Sequence, residues 1–140
     1  MSRRRRARKI ILDALYRMEI DNCAPAEALQ DYREEMDTKE IAEFVDRVVF
    51  GVVDKKAEMD AIIDGYADKW TANRMPVLDR CILRIGIFEM NYEDDIPTSV
   101  TINEAVEIAN TYSTDESGRF VNGILGHLAK DEEEIKNKKE

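Results

Sequence analysis

The side chains that most often perform chemistry are sparse in this chain of 140 residues. His127 is its only histidine. Nucleophilic catalysis would have to pair it with Ser117 or Cys81, and neither spacing supports such a pair, in which base and nucleophile share a hydrogen bond. Cysteines, carboxylates and His127 show no metal-ligand spacing. Cys23 and Cys81 stand far apart without a CxxC pair, as reduced thiols of a cytoplasmic protein do. The six glycines are scattered, so no loop is built to cradle phosphates. Asp94-Asp95 and Glu132-Glu133-Glu134 fall in a turn and a terminal stretch, where solvation explains them better than acid–base work. This pattern predicts a non-enzyme with no cofactor and no metal.

One cluster does have a chemistry. Arg3, Arg4, Arg5, Arg6, Arg8 and Lys9 place six positive charges in nine residues with no acid among them. The whole chain carries −9, so the remainder holds 15 basic and 30 acidic residues. An acidic body disfavours indiscriminate binding to polyanions. A basic arm, however, needs to be positive only over a Debye length, roughly 8–10 Å. The cluster therefore fits two readings, a solvated tail or a local RNA-holding arm. Guanidinium groups fork onto phosphates and stack on unpaired bases.

Helices must position these residues. Apolar residues recur at helical spacing in seven segments, and no segment alternates as a strand would. Ile10, Ile11, Ala14, Leu15 and Met18 mark a first helix from about Arg5 to Ile20, with Asn22 as its stop. Pro25 suits the first turn of a short second helix. Asp37 with Glu40 reads as a capping box opening a third, striped by Ile41, Phe44, Val45, Val48, Val49, Val52 and Val53. Met59, Ile62, Ile63, Tyr66, Ala67 and Trp70 stripe a fourth, with Trp70 as a core anchor. A fifth turns Leu78, Cys81, Ile82, Ile85 and Phe88 inward, and a sixth carries Ile102, Ala105, Val106, Ala109 and Tyr112. A polar loop from Ser113 to Ser117, with Asp115 or Ser117 as cap, precedes a seventh carrying Phe120, Val121, Ile124, Leu125 and Leu128. Asn103 and Asn122 have poor helix propensity and read as buried polar links between helices or, second, as direct RNA contacts. Arg84 and Glu89 read as an ion-pair network or as part of a partner surface. The expected organisation is one helical domain over residues 1–130, with subdomains of about 1–55 and 56–130, then a charged, disordered tail over 131–140. No apolar run approaches the ~18 residues of a membrane span, and the N-terminus is too charged for a signal sequence. The expectation is a cytoplasmic protein.

Four stretches in order resemble the NusB family of transcription antitermination factors. They are Arg4-Arg5-Arg6-Ala7-Arg8 with Ala14-Leu15-Tyr16; Trp70 with Arg74, Asp79-Arg80, Ile82-Leu83-Arg84 and Glu89; Ile96-Pro97 with Val100 and Ile102-Asn103-Glu104-Ala105-Val106-Glu107-Ile108-Ala109; and Ser117 with Phe120-Val121-Asn122-Gly123-Ile124-Leu125. They span roughly residues 3 to 128, and the third and fourth are highly specific. Ser113 stands where many members have glycine, and Gly126 where many have aspartate.

The resemblance implies an all-α fold of two packed helical bundles. It implies binding of single-stranded boxA-type RNA together with the small-subunit ribosomal protein NusE. The complex, with other antitermination components and RNA polymerase, would let the polymerase pass terminators in rRNA operons. Matched to the family, Arg4, Arg5 and Arg8 fall on the RNA-contacting arm. Glu116 and Phe120 fall where the family also approaches RNA, and Tyr16 and Asp79 on the partner-binding surface. From the residues alone, Phe120 fits core packing or base stacking, and Glu116 fits a solvated cap or an acceptor for a base amino group. Two other functions fit the helices: a protein-interaction module without specific RNA binding, and an accessory domain akin to those of rRNA methyltransferases. A homodimer through an exposed apolar helix face is a further association.

Overall fold

Ser2 starts the first helix, its side-chain oxygen accepting from the Arg5 N–H at 3.1 Å. Such a cap satisfies one of the orphan donors of the first turn. In a computed structural model describing residues 2–67 and 70–139, seven α-helices follow one another: α1 (Arg3–Asp21), α2 (Pro25–Gln30), α3 (Lys39–Asp54), α4 (Lys56–Tyr66), α5 (Val77–Tyr92), α6 (Thr98–Tyr112) and α7 (Asp115–Lys139). One 3-10 turn lies at Arg33–Glu35, and the described residues contain no strand. The all-α expectation is met. No helix among them is long and apolar enough to cross a membrane.

The chain divides into two compact units, one ending at Lys56 and one beginning at Ala57. In the first, α1 ends where Asn22 adopts a left-handed φ of 54°, a conformation asparagine tolerates better than most residues. Pro25 opens α2 as predicted. α3 packs on α1 and buries Ile41, Phe44, Val45, Val48, Val49 and Val52. Its β-branched residues each cost a few tenths of a kcal/mol in helix propensity. Burying such a side chain returns about 1.5–3 kcal/mol, so packing decides the conformation. The α3 cap is Thr38 rather than Asp37: Thr38 is extended, and its Oγ1 accepts from the Ile41 N–H at 3.1 Å.

In the second unit, α5 is packed by both α6 and α7. Every residue from Cys81 to Glu89 is buried, beyond the single inward stripe the spacing predicts. Arg84 survives there because its Nε and Nη2 fork onto the two Asp60 carboxylate oxygens, each at 2.9 Å. Glu89 accepts from the Thr101 hydroxyl at 3.3 Å. Gly86 lets α5 approach α7, since a Cβ there would lie 2.7 Å from Leu125 Cδ1.

Three further expectations change. The stripe on α4 holds for buried Met59 and Ile63, but the helix ends at Tyr66, the predicted stripe crosses residues 68 and 69 outside the described set, and Trp70 is 43% exposed. It is not a core anchor. Asn103 and Asn122 are exposed rather than buried between helices. From Lys130 on, where the composition predicts disorder, α7 continues to Lys139. Glu132 and Lys136 stand there at the i, i+4 spacing, acid first, that supports an exposed helix.

Candidate nucleic-acid interface

Two basic residues of α1, Arg4 and Arg8, meet one aromatic ring. Phe44, fully buried on α3, has the Arg4 guanidinium carbon 4.2 Å from its ring centroid, that of Arg8 at 5.8 Å and that of Arg47 at 5.9 Å. Arg4 and Arg8 are one turn apart on α1, and Arg47 is one turn beyond Phe44 on α3. Cation–π attraction at such distances contributes about 0.5–2 kcal/mol per pair and fixes where each charge points. Arg4 also lies 4.0 Å from the Glu40 carboxylate. Arg8 is only 4% exposed, whereas Arg4 and Arg5 are half-buried and Arg6 is exposed. The arm is therefore part of a folded surface, not a loose tail. Composition missed this because arginine is expected at the surface, and the α1–α3 register is not written in either helix alone. Tyr16, further along α1, is 42% exposed, and Ile20 one turn on is 56% exposed.

The second unit carries a groove of about 730 Å³ whose lining includes Tyr66, Trp70, Glu116, Arg119 and Phe120. Trp70 meets Phe120 edge-on, with ring centroids 5.4 Å apart and an interplanar angle of 88°. Phe120 is half-buried and Glu116 is exposed, so both sequence-derived candidates line one feature. Arg119, which the sequence reading passed over, lines it too. It lies three residues past Glu116 on α7, a spacing that could have found it.

Hydrogen bonds hold the groove wall. Asp79 is completely buried on α5. Its Oδ1 accepts from the Ser113 hydroxyl at 3.1 Å and its Oδ2 from the Ser117 hydroxyl at 3.0 Å. In this chain Asp79 is thus placed inside the unit, tying α5 to the turn before α7, and not at a surface. The cap of α7 is Thr114, rather than Asp115 or Ser117: its Oγ1 accepts from the Ser117 N–H at 2.9 Å. Tyr66 donates to Asp131 Oδ2 at 2.7 Å and sits edge-on to His127, with centroids 5.0 Å apart. The hydrogen bond to Asp131, then burial, pushes the Tyr66 phenol up to about 12. His127 is exposed, and no group of histidines, cysteines and carboxylates suited to a metal ion occurs among the described residues. Cys81 is buried and Cys23 half-buried, and neither forms a disulfide.

The helices, the basic face and the aromatic groove define an all-α protein with two surfaces of the chemistry that nucleic acid requires. The NusB family model matches residues 5–130, and the chain belongs to the NusB family. It is 39% identical over 129 residues to the transcription antitermination protein NusB of Thermoanaerobacter sp. (strain X514), covering 92% of this chain and 91% of that protein. To the NusB of Kineococcus radiotolerans it is 42% identical over 129 residues, covering 92% and 94%. Among solved structures, T. maritima NusB superposes with a TM-score of 0.86 at 38% identity, covering 93% of this chain and 92% of that one. A crystal structure of antitermination factors NusB and NusE in complex with dsRNA matches with a TM-score of 0.83 at 26% identity, covering 94% and 98%.

Proposed function

We propose that this protein is a cytoplasmic, non-enzymatic transcription antitermination factor that binds single-stranded boxA-type RNA together with the ribosomal protein NusE. In that role it helps RNA polymerase, with other antitermination components, pass terminators in rRNA operons. The observation that carries the reading is the likeness, over almost the whole of both chains, to a NusB in complex with NusE and dsRNA. The two surfaces supply suitable chemistry. Arg4 and Arg5 offer charge to phosphates, while Arg8, almost fully covered, adds its charge from beneath the surface. Phe120 offers a face to an unstacked base, a contact contributing about 1–3 kcal/mol. Glu116 offers an acceptor to a base amino group. Tyr16, exposed on α1, is the candidate contact for the protein partner. Asp79 supports a partner surface only indirectly, through the turn it holds.

The test is titration of a boxA oligonucleotide with and without NusE. The expected result is retention by the protein alone and tighter retention with NusE. Retention of NusE with no retention of the boxA oligonucleotide would instead make the chain a protein-interaction module, and a concentration-dependent rise in mass without NusE would show self-association. If about four arginines neutralise phosphates, the log–log salt slope is near −3, and affinity falls roughly 50-fold between 50 and 200 mM salt.

A further inference from the structure

Arg47 lies outside the N-terminal run, on a different helix, yet its guanidinium converges on the ring that Arg4 and Arg8 share. Since each guanidinium carbon is within 5.9 Å of one centroid, no two of the three are further apart than about 12 Å, close to a Debye length. Three like charges held this closely concentrate positive charge on one face of an acidic chain. The ring quadrupole and the Glu40 carboxylate beside Arg4 offset part of their repulsion, and a bound polyanion would offset more of it. Arg47 is exposed, while Arg8 is almost fully covered. Of the two guanidiniums nearly equidistant from the ring, Arg47 is therefore the one that an incoming phosphate can reach.

We infer that Arg47 of α3 is a phosphate-binding residue of the RNA surface, and that Phe44 is the positioning residue that aligns it with Arg4 and Arg8. The RNA-binding face is then a two-helix surface of α1 and α3 rather than a terminal arm. This inference rests on the RNA-binding reading above. It extends that reading to a residue outside the stretches that carry the family resemblance.

The experiment compares boxA RNA titrations of the wild type, Arg47→Ala and Lys56→Ala across a salt series. Lys56→Ala is an equal change in charge at the first residue of α4, where the ammonium lies 3.1 Å from the Glu19 carboxylate. Arg47→Ala is expected to weaken binding about three- to tenfold at low salt and to make the slope shallower by about 0.7, the value of one phosphate contact on a single strand. Lys56→Ala is expected to leave the slope unchanged. An Arg47→Ala slope equal to the wild type's overturns the inference while leaving the RNA-binding reading intact. Equal losses for both variants also overturn it, because net charge alone would then be responsible. A wild type that retains no RNA overturns both. Alanine is the best helix former, so an unchanged far-UV helical signal is expected of Arg47→Ala and keeps the comparison valid.

Discussion

The basic face of the first unit and the aromatic groove of the second use aromatic rings in opposite ways. Phe44 is wholly buried and turns toward protein cations. Phe120 is half-buried and meets Trp70 at the edge of an open groove. The first ring organises charge, so its surface acts at long range and is weakened by salt. The second is itself a contact surface, acting only by touch and little affected by salt. Under the proposed function, the first surface would attract a polyanion and the second would stack on its unpaired bases.

The comparison can be broken at its supports. Asp79→Ala removes the acceptor for the buried Ser117 hydroxyl and the half-buried Ser113 hydroxyl beside the groove and is expected to cost about 2–4 kcal/mol in stability, read by urea denaturation. A loss below 1 kcal/mol would mean that the groove wall stands without Asp79. Phe120→Ala should weaken RNA binding by about 1–3 kcal/mol with an unchanged salt slope; a shallower slope would show that the groove works through charge after all. Arg5→Ala should do the reverse, flattening the slope by about 0.7 with no change in helicity. Arg8→Ala, at a buried position, should also lower stability, by about 0.5–2 kcal/mol.

The smallest effect is at Tyr66. Tyr66→Phe should cost about 0.5–1.5 kcal/mol at neutral pH through the lost bond to Asp131. The folded phenol titrates at about 12, above its ordinary value near 10. Its contribution is therefore full below pH 10 and lost as pH rises toward 12. Denaturation of wild type and Tyr66→Phe at pH 8 and at pH 11.5 should show the gap narrowing. A constant gap would exclude ionisation of Tyr66 as its cause.

Periodicity made the helices legible because one-sided burial leaves a stripe: Ile41, Phe44, Val45, Val48, Val49 and Val52 are all buried as their spacing predicts. It failed for α5, where burial on every side leaves no period, and where the Arg84–Asp60 fork depends on residues 24 apart. Caps slipped by one residue at Thr38 and Thr114, since Ser, Thr and Asp share the same capping ability. Of the candidate site, Glu116 and Phe120 were found together. The partial cover of Arg8 and the place of Arg47 required the α1–α3 packing. Asp79 looks like a surface carboxylate by type, and only its two serine donors explain its burial.

Trp70 is the only tryptophan in the chain, and it stands at the groove with its indole against Phe120. Its emission is thus a built-in optical reporter of one surface. A ligand entering the groove changes the surroundings of this indole and hence its fluorescence. Label-free spectroscopy can therefore time the arrival of RNA at the groove.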